Sequence, residues 1–416
     1  MRTTAFGSPS SPTPPDSCDR GQQEEWTAGQ GYYERYRRVV TSPARAGATP
    51  MWPELPEAAR DVLMEVLIHG AMSRAEIAPR VRLSRATLTR AARVLVGHGL
   101  LVEGGTELRS STGRPSEILH VRGEAHQFLG VKLTADRLYA VVADLTATVT
   151  DAVEQPLRST DPAEVVARIA ELAADRPWLT GIGVTLGGVV RDGVVVDAGF
   201  LGWKDVPLAE SVARATGLPV VVDNDVQALT FAEHWFGAGA GVESMVVITI
   251  GAGVGTGLII DGKLVRGAHR LPPRFAHLLV DPRGPQCGYG HRGCASSYLM
   301  SHVIARRLDG CATYDEAVER AQADDPDAKE VFAEAGYALG VLIGHAANFL
   351  DPAKILLTGD GLPVYELALE RVHDGIEDTY EDDPTLIDLN VQPFDFGEWA
   401  RAAAVLALKA AITGTT

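Results

Sequence analysis

From about residue 125 onward, short runs rich in β-branched residues (FLGVKL, LYAVVADL, GIGVTL, VVVDND, MVVITI, GLIIDG, KILLTG) alternate with stretches whose apolar residues recur at helical spacing. Strand-length runs separated by amphipathic helices can bury all their apolar faces only in a layered α/β fold, which is the expectation for residues 125–416. No short-period repeat competes with that reading. The longest apolar runs, such as MVVITI, are far shorter than the ~20 residues that span a bilayer, so no membrane partner is expected. Four cysteines (Cys18, Cys287, Cys294, Cys311) are too few and too uneven for a disulfide framework. The chain opens with no basic stretch followed by an apolar one, and a cytoplasmic location is expected.

The N-terminal part differs in kind. Residues 1–50 carry SPSSPTPPDS, GQGYYERYRR and TSPARAGATP, rich in Pro, Ser and Gly and without apolar periodicity; residues 1–55 are assigned to a disordered tail. A helical pattern begins at Pro56, where Val62, Leu63, Val66 and Leu67 make one stripe. Ser73-Arg-Ala-Glu76 is a capping box that starts a second helix, kept short by Pro79. Ser84 then caps a third, with Leu88, Ala91, Ala92 and Leu95 inward and Arg85, Thr87, Thr89, Arg90 and Arg93 on the other surface. Residues 100–121 read as two strands, with GRP at 113–115 near their tip.

Charge supports a separate role for this segment. The whole chain is −16, yet residues 73–114 hold eight arginines (74, 80, 82, 85, 90, 93, 109, 114) against three glutamates (76, 103, 107). That is net +5, which leaves −21 for the rest. A basic module over 56–122 resembles a winged helix-turn-helix, whose second helix enters the major groove. Arg85, Thr87, Thr89 and Arg90 are the candidates for base edges, Arg93 for phosphate and Arg114 for the minor groove, with double-stranded operator DNA as partner. The competing reading is a helical adaptor whose arginines are merely solvated.

Four stretches of the acidic body carry chemistry. ITIGAGVGTGLIIDG places Gly251, Gly253, Gly255 and Gly257 between two strands, as a backbone turning beside a phosphate requires. VVVDNDVQAL ends a strand on Asn224 and Asp225, where a carboxylate can act as base toward a sugar hydroxyl. ILLTGDGL is a second strand-to-glycine turn, and HLLVDPRGPQCGYGHRGC brings His277, Cys287 and Cys294 to the spacing of a compact metal loop.

In this order the motifs resemble the ROK family of bacterial repressors and sugar kinases, over roughly 57–412. The resemblance implies a two-lobed actin-like (ribonuclease H-like) fold, and in repressor members an N-terminal winged helix. Asp225 matches the family's phosphoryl-accepting base and Asn224 its neighbour; Gly188 and the LGW at 201–203 fall where the sugar lobe is expected. The departures bear on function. The family's acid near the metal-nucleotide is Lys132 here, and Asp136 stands where a threonine is usual, so ATP is not expected as a cofactor. Of the sugar-gripping ExGH only His277 remains, with Arg274 in the glutamate's place and Ser296 at a later glutamate. Arg274 is compatible either with a lost ligand or with an anionic one such as a sugar phosphate. The family's zinc pattern, one histidine and three cysteines, maps to His277, Cys287, Tyr289 and Cys294; zinc would need a water or nearby His291 to complete its shell.

The expected function is a homodimeric (or dimer-of-dimers) DNA-binding regulator, a repressor of carbohydrate genes, with a catalytically inactive kinase-like body sensing a sugar or sugar phosphate. The alternative is an active ATP-dependent sugar kinase with a fused helical module.

Overall fold

The computed structural model describes residues 51–107 and 116–414, with residues 105–107 and 116 as backbone alone. Residues 1–50, and with them most of the expected tail, lie outside the described residues, as do Arg109 and Arg114.

The N-terminal module holds α1 (Glu57–His69), β1 (Met72–Ser73), α2 (Arg74–Val81), α3 (Arg85–Gly97), β2 (Leu101–Glu107) and β3 (Ser116–Val121). The three strands form an antiparallel sheet in the order β1-β3-β2. Local chemistry sets the helix ends. The Glu76 carboxylate accepts from Ser73 N at 2.8 Å, closing the capping box at the start of α2. Pro79 sits inside that helix, which stops two residues later as Arg82 turns left-handed at φ 52°. Ser84 Oγ accepts from Thr87 N at 3.2 Å and starts α3. Leu88, Ala91, Ala92 and Leu95 then face Val62, Leu63 and Val66 of α1 in one core.

The first lobe of the body follows with β4 (Gln127–Leu133), β5 (Arg137–Asp144), β6 (Val149–Pro156), α4 (Pro162–Ala174), β7 (Leu179–Leu186), β8 (Val189–Arg191), β9 (Val194–Ala198), β10 (Trp203–Val206), α5 (Leu208–Thr216) and β11 (Val220–Asn224). Its main sheet runs β11-β7-β4-β5-β6, with β10-β9-β8 beside it. Helix α6 (Asp225–Phe236) leads to the second lobe, whose sheet runs β14-β13-β12-β15-β16: β12 (Met245–Ile250), β13 (Val254–Ile260), β14 (Lys263–Leu264), β15 (Lys354–Thr358) and β16 (Leu389–Val391). The 25-residue helix α7 (Pro326–Leu350) supplies much of that lobe's core. The last helix, α8 (Phe396–Thr413), returns to the first lobe. It lies backbone to backbone on the sheet: a Cβ at Gly130 would come within 2.0 Å of Ala400 O, and one at Gly183 within 1.8 Å of Ala403 O.

The α/β body matches the sequence expectation, but the module is less separate than composition implies. Trp52 and Leu55, assigned to the tail, are packed: the Trp52 ring lies 4.9 Å from that of His126 and Leu55 is buried. Arg60 of α1 donates to Thr413 O at the end of α8 (3.1 Å), and the module's apolar residues continue into the core of α6 and α8. One aromatic anchor, one buried leucine and one long-range hydrogen bond, invisible to local periodicity, tie the module to the body.

Candidate functional site

On the module, the exposed surface of α3 carries Arg85, Arg90 and Arg93, while Arg74 is taken up by Glu103 and Glu117 and Arg80 lies 3.7 Å from Glu65. At about 100° per residue, positions 85, 89, 90 and 93 span roughly 140° of the helix, opposite the buried stripe. The two threonines are less free than the arginines. Thr89 Oγ1 donates to Arg85 O at 2.8 Å, and Thr87 Oγ1 lies 2.9 Å from Ser84 Oγ, so both hydroxyls serve the helix itself. Arg114 cannot be placed on this surface, because it lies outside the described residues.

In the body, Asp225 is the first residue of α6 and Lys132 lies near the end of β4, 93 positions earlier. Their side chains form an ion pair, Lys132 6% and Asp225 11% exposed. Lys132 Nζ also lies 5.1 Å from the centre of the Trp399 ring. Asp225 Oδ1 accepts from its own successor's amide, Val226 N, at 2.9 Å. A base needs a free carboxylate aimed at its substrate. Here the carboxylate is already occupied by an ammonium. Asn224 is likewise engaged, as the cap of α6 through Gln227 N (3.1 Å) and as donor to Gly188 O (3.0 Å). Gly188 sits at φ 133°, and a Cβ there would meet Asp197 O at 2.4 Å.

The glycine turn divides in two. Gly251 and Gly253 lie in the β12–β13 turn, whereas Gly255 and Gly257 lie in β13 against α6, where added Cβ atoms would meet Val226 Cγ2 at 2.6 Å and Thr230 Oγ1 at 1.8 Å. The second pair thus answers to packing, a correction to its reading as phosphate loop. The Asp360 carboxylate, from the second glycine turn, accepts from Ala252 N at 3.3 Å and fills the space beside Gly251. Burial pushes the Asp360 carboxyl above the usual range. Asp136 lies in the exposed β4–β5 turn, accepting from Thr134 Oγ1 at 3.1 Å.

A cleft between the lobes is lined by Val190, Asp223, Asn224, Gln227, Arg266 and Arg270, with Leu271 and Pro272 closing it. Its cavity of about 10 Å³ has room for about one water. Asp223 pairs with Arg266 and Asp192 with Arg270. Arg274 does not line this cavity; it is exposed, just ahead of the short helical turn Phe275–His277. Arg266 and Arg270, eight and four residues earlier, supply the guanidinium groups, and sequence reasoning missed both. The signal available was LVRGAHR, two basic residues on a glycine-bearing loop directly after a strand pair.

His277 turns instead toward the cysteine loop. Its Nδ1 lies 3.6 Å from Cys294 Sγ and 4.0 Å from Cys287 Sγ, and donor atoms of His277, Cys287, His291 and Cys294 all lie within 4.8 Å of one another. Zinc bonds of about 2.0 Å to nitrogen and 2.3 Å to sulfur imply ligand separations of roughly 3.3–3.8 Å in a tetrahedron. Two thiols and two imidazoles so placed fit that ion. Tyr289 is 82% exposed, its ring edge-on to that of His277 at 5.1 Å, while His291 supplies the fourth donor atom of the cluster. The loop's own pairing explains this: Gln286 bridges to Arg292 and Cys287 N donates to His291 O at 2.8 Å, folding His291 back over the cysteines. Burial, then His291 and Arg274, lowers the His277 pKa and favours the neutral imidazole that binds metal.

Two lobes, each a five-stranded sheet backed by helices, with a polar cleft between them, define an α/β protein of the sugar-kinase-like, actin-like architecture. The ROK family model matches residues 128–408, and the chain belongs to the ROK family. It is 23% identical over 349 residues to the xylose repressor of Bacillus subtilis (strain 168), covering 79% of this chain and 91% of that protein. It is 33% identical over 232 residues to a glucokinase of Halalkalibacterium halodurans, 48% of this chain and 70% of that one. Among solved structures it is similar to a ROK family transcriptional regulator described as a homologue of the Escherichia coli MLC protein, with TM-score 0.71 and 25% identity over 86% of this chain and 98% of that one. Among the described residues no helix is long and apolar enough to cross a membrane.

Proposed function

We propose that this chain is a DNA-binding transcriptional regulator, a repressor of carbohydrate genes, whose kinase-like body senses a sugar or sugar phosphate and transfers no phosphate. Its family contains both repressors and kinases, and the observation that carries the choice is the Lys132–Asp225 pair. A kinase needs Asp225 free to accept a proton and needs a metal-nucleotide opposite it. Lys132 neutralises the first and puts a cation where an acid would be needed to hold the metal ion, and the Asp360 carboxylate at Ala252 N occupies an amide that a phosphate would use.

The N-terminal module over residues 56–122 is read as a winged helix-turn-helix, with α3 as the recognition helix and β2–β3 as the wing. Arg85 and Arg90 are assigned to base edges and Arg93 to phosphate. One such helix reads only a few base pairs, so a two-fold dimer and a cytoplasmic location accompany this reading. Zinc is assigned to His277, Cys287, His291 and Cys294, where it would clamp the loop that follows the cleft. When bound it would supply structural rigidity, and the two imidazoles and two thiolates would be its ligands.

Calorimetry with Mg-ATP, joined to an assay of phosphate transfer to glucose and xylose, tests the choice. No heat of binding at millimolar nucleotide and no phosphorylated sugar is expected. Binding at or below millimolar concentration, with transfer to either sugar, would establish the kinase reading instead.

A further inference from the structure

Two ion pairs cross from lobe to lobe at the mouth of the cleft. Asp223, at the end of β11 in the first lobe, pairs with Arg266, which follows β14 in the second. Asp192, in the β8–β9 turn of the first lobe, pairs with Arg270. Between and beyond these arginines the chain runs Gly-Ala-His-Arg-Leu-Pro-Pro, residues 267–273.

This segment has little else to hold it. Its one backbone hydrogen bond among the described residues is internal, Arg270 N to Gly267 O at 3.0 Å. Pro272 and Pro273 have no N–H to donate, and Arg270 is held in the left-handed region at φ 53°. Neither lobe's backbone binds it, so its placement rests on the two side-chain pairs and on Leu271 and Pro272 covering the cavity. The two latches are unequal. Asp223 is 9% exposed in its side chain and Arg266 40%, whereas Asp192 and Arg270 are 73% and 58% exposed and therefore strongly screened.

The space beneath is polar and unfinished. Gln227, only 4% exposed, donates through Nε2 to Thr256 O at 3.3 Å, while its Oε1 has no partner among the described residues. A buried acceptor left unpaired is costly, and a ligand hydroxyl is the group that would satisfy it. A cavity of about 10 Å³ is too small for any sugar, so a ligand reaching Gln227 must first displace what lies above it.

We infer that residues 267–273 form a strap latched across the effector cleft by Asp223–Arg266 and Asp192–Arg270, and that unlatching it opens the cleft to a hydroxyl-bearing ligand. The inference rests on the reading of this cleft as an effector site, and deepens it by naming what keeps the site shut. Opening either latch releases the second lobe from the first at the same place, so strap position and lobe closure move together.

Hydrogen exchange of the full chain, read by mass spectrometry without ligand or DNA, tests the strap alone. In Asp223→Asn the Arg270 amide, the hydrogen-bonded one within 267–271, is expected to exchange at least about tenfold faster than in the wild type at low salt, as a locally opened segment does. The β12 peptide at 245–250 should be unchanged. Asp192→Asn, on the surface and harmless to the core, should give a smaller increase at the Arg270 amide, and added salt should accelerate it in the wild type. Equal exchange of the Arg270 amide in the wild type and both variants, or an increase shared equally by 245–250 in both, would overturn the strap. Because DNA is absent, failure of the regulator reading would leave this result standing, and the reverse also holds.

Discussion

Replacing Lys132 by methionine removes an ammonium and leaves the Asp225 carboxylate in place, and the cost can be worked out from the surroundings. The two side chains are 6% and 11% exposed, so solvent screening gives little relief. Breaking a buried pair by removing one partner costs about 3–5 kcal/mol, because the remaining charge is uncompensated. Two features of Asp225 reduce that here: it accepts from Val226 N at 2.9 Å, and it lies in the first turn of α6, where the helix N-terminus favours an anion by roughly 0.3–1 kcal/mol. A net loss of about 2–4 kcal/mol follows, or roughly 4–8 °C in melting temperature for a domain of this size, at about 2 °C per kcal/mol. Removing both charges in Lys132→Met/Asp225→Asn should restore most of the loss, so that the single effects fail to add by more than about 1.5 kcal/mol. Scanning calorimetry of the four proteins closes the cycle. A Lys132→Met protein that melts within about 1 °C of the wild type, with additive single effects, would refute the claim that these groups hold each other.

Four further outcomes are expected. Burial lowers the His126 pKa to about 4, with Thr180 Oγ1 2.9 Å from Nδ1, so on acidification the unfolded chain takes this proton first; stability is lost as pH falls from about 6.5 toward 4, by about 3 kcal/mol, and His126→Asn should flatten that slope in urea titrations. Gly183→Ala forces a Cβ to within 1.8 Å of Ala403 O and should cost more than about 4 kcal/mol, read as loss of soluble folded protein or of the thermal transition. Purified protein should carry about one zinc per chain, lost in His291→Ala and Cys294→Ser but retained in Tyr289→Cys, by elemental analysis; retention of metal in His291→Ala would remove that residue from the shell. Asp360→Asn keeps an acceptor for Ala252 N but removes a buried charge, and since burial raises that carboxyl's pKa the variant should gain stability at pH 7 and lose the gain below the ordinary carboxylate range; an acid-side gain would reverse the argument.

What could be read from sequence was what neighbours along the chain decide. Ser73, Glu76, Pro79 and Ser84 fix helix ends by contacts within three or four residues, and α2 and α3 begin where those residues place them. The strand runs of the body are equally local, which is why the α/β class was legible. The site was legible only in part, because its decisive contacts join distant positions. Lys132 is visibly a departure in sequence, but that it neutralises Asp225 depends on β4 ending beside the start of α6, 93 residues on. Arg266 meets Asp223 across 43 residues and two lobes, and nothing in either local pattern signals the pair. His291 enters the cysteine cluster because a short β-bridge folds the loop back, while Tyr289, in register with a family thiol, lies exposed against the His277 ring. Trp52 illustrates the converse error: a segment of tail-like composition is anchored by one ring against His126.

Regulation through α3 stands or falls on DNA binding. Duplexes selected from a random pool by the wild-type protein would be titrated by fluorescence anisotropy across a range of salt, with Arg85→Ala, Arg90→Ala, Arg93→Ala and the triple variant beside it. The three guanidinium groups are exposed on one face of α3, and their removal leaves its buried stripe intact. Arg85→Ala and Arg90→Ala should each cost about 1–3 kcal/mol on the selected sequence. Arg93→Ala should weaken selected and random DNA alike and lower the salt slope by about 0.9. The triple variant should lose sequence preference altogether while melting at the wild-type temperature. Selection of no sequence by the wild type, or unchanged affinity and slope in the triple variant, would contradict the claim.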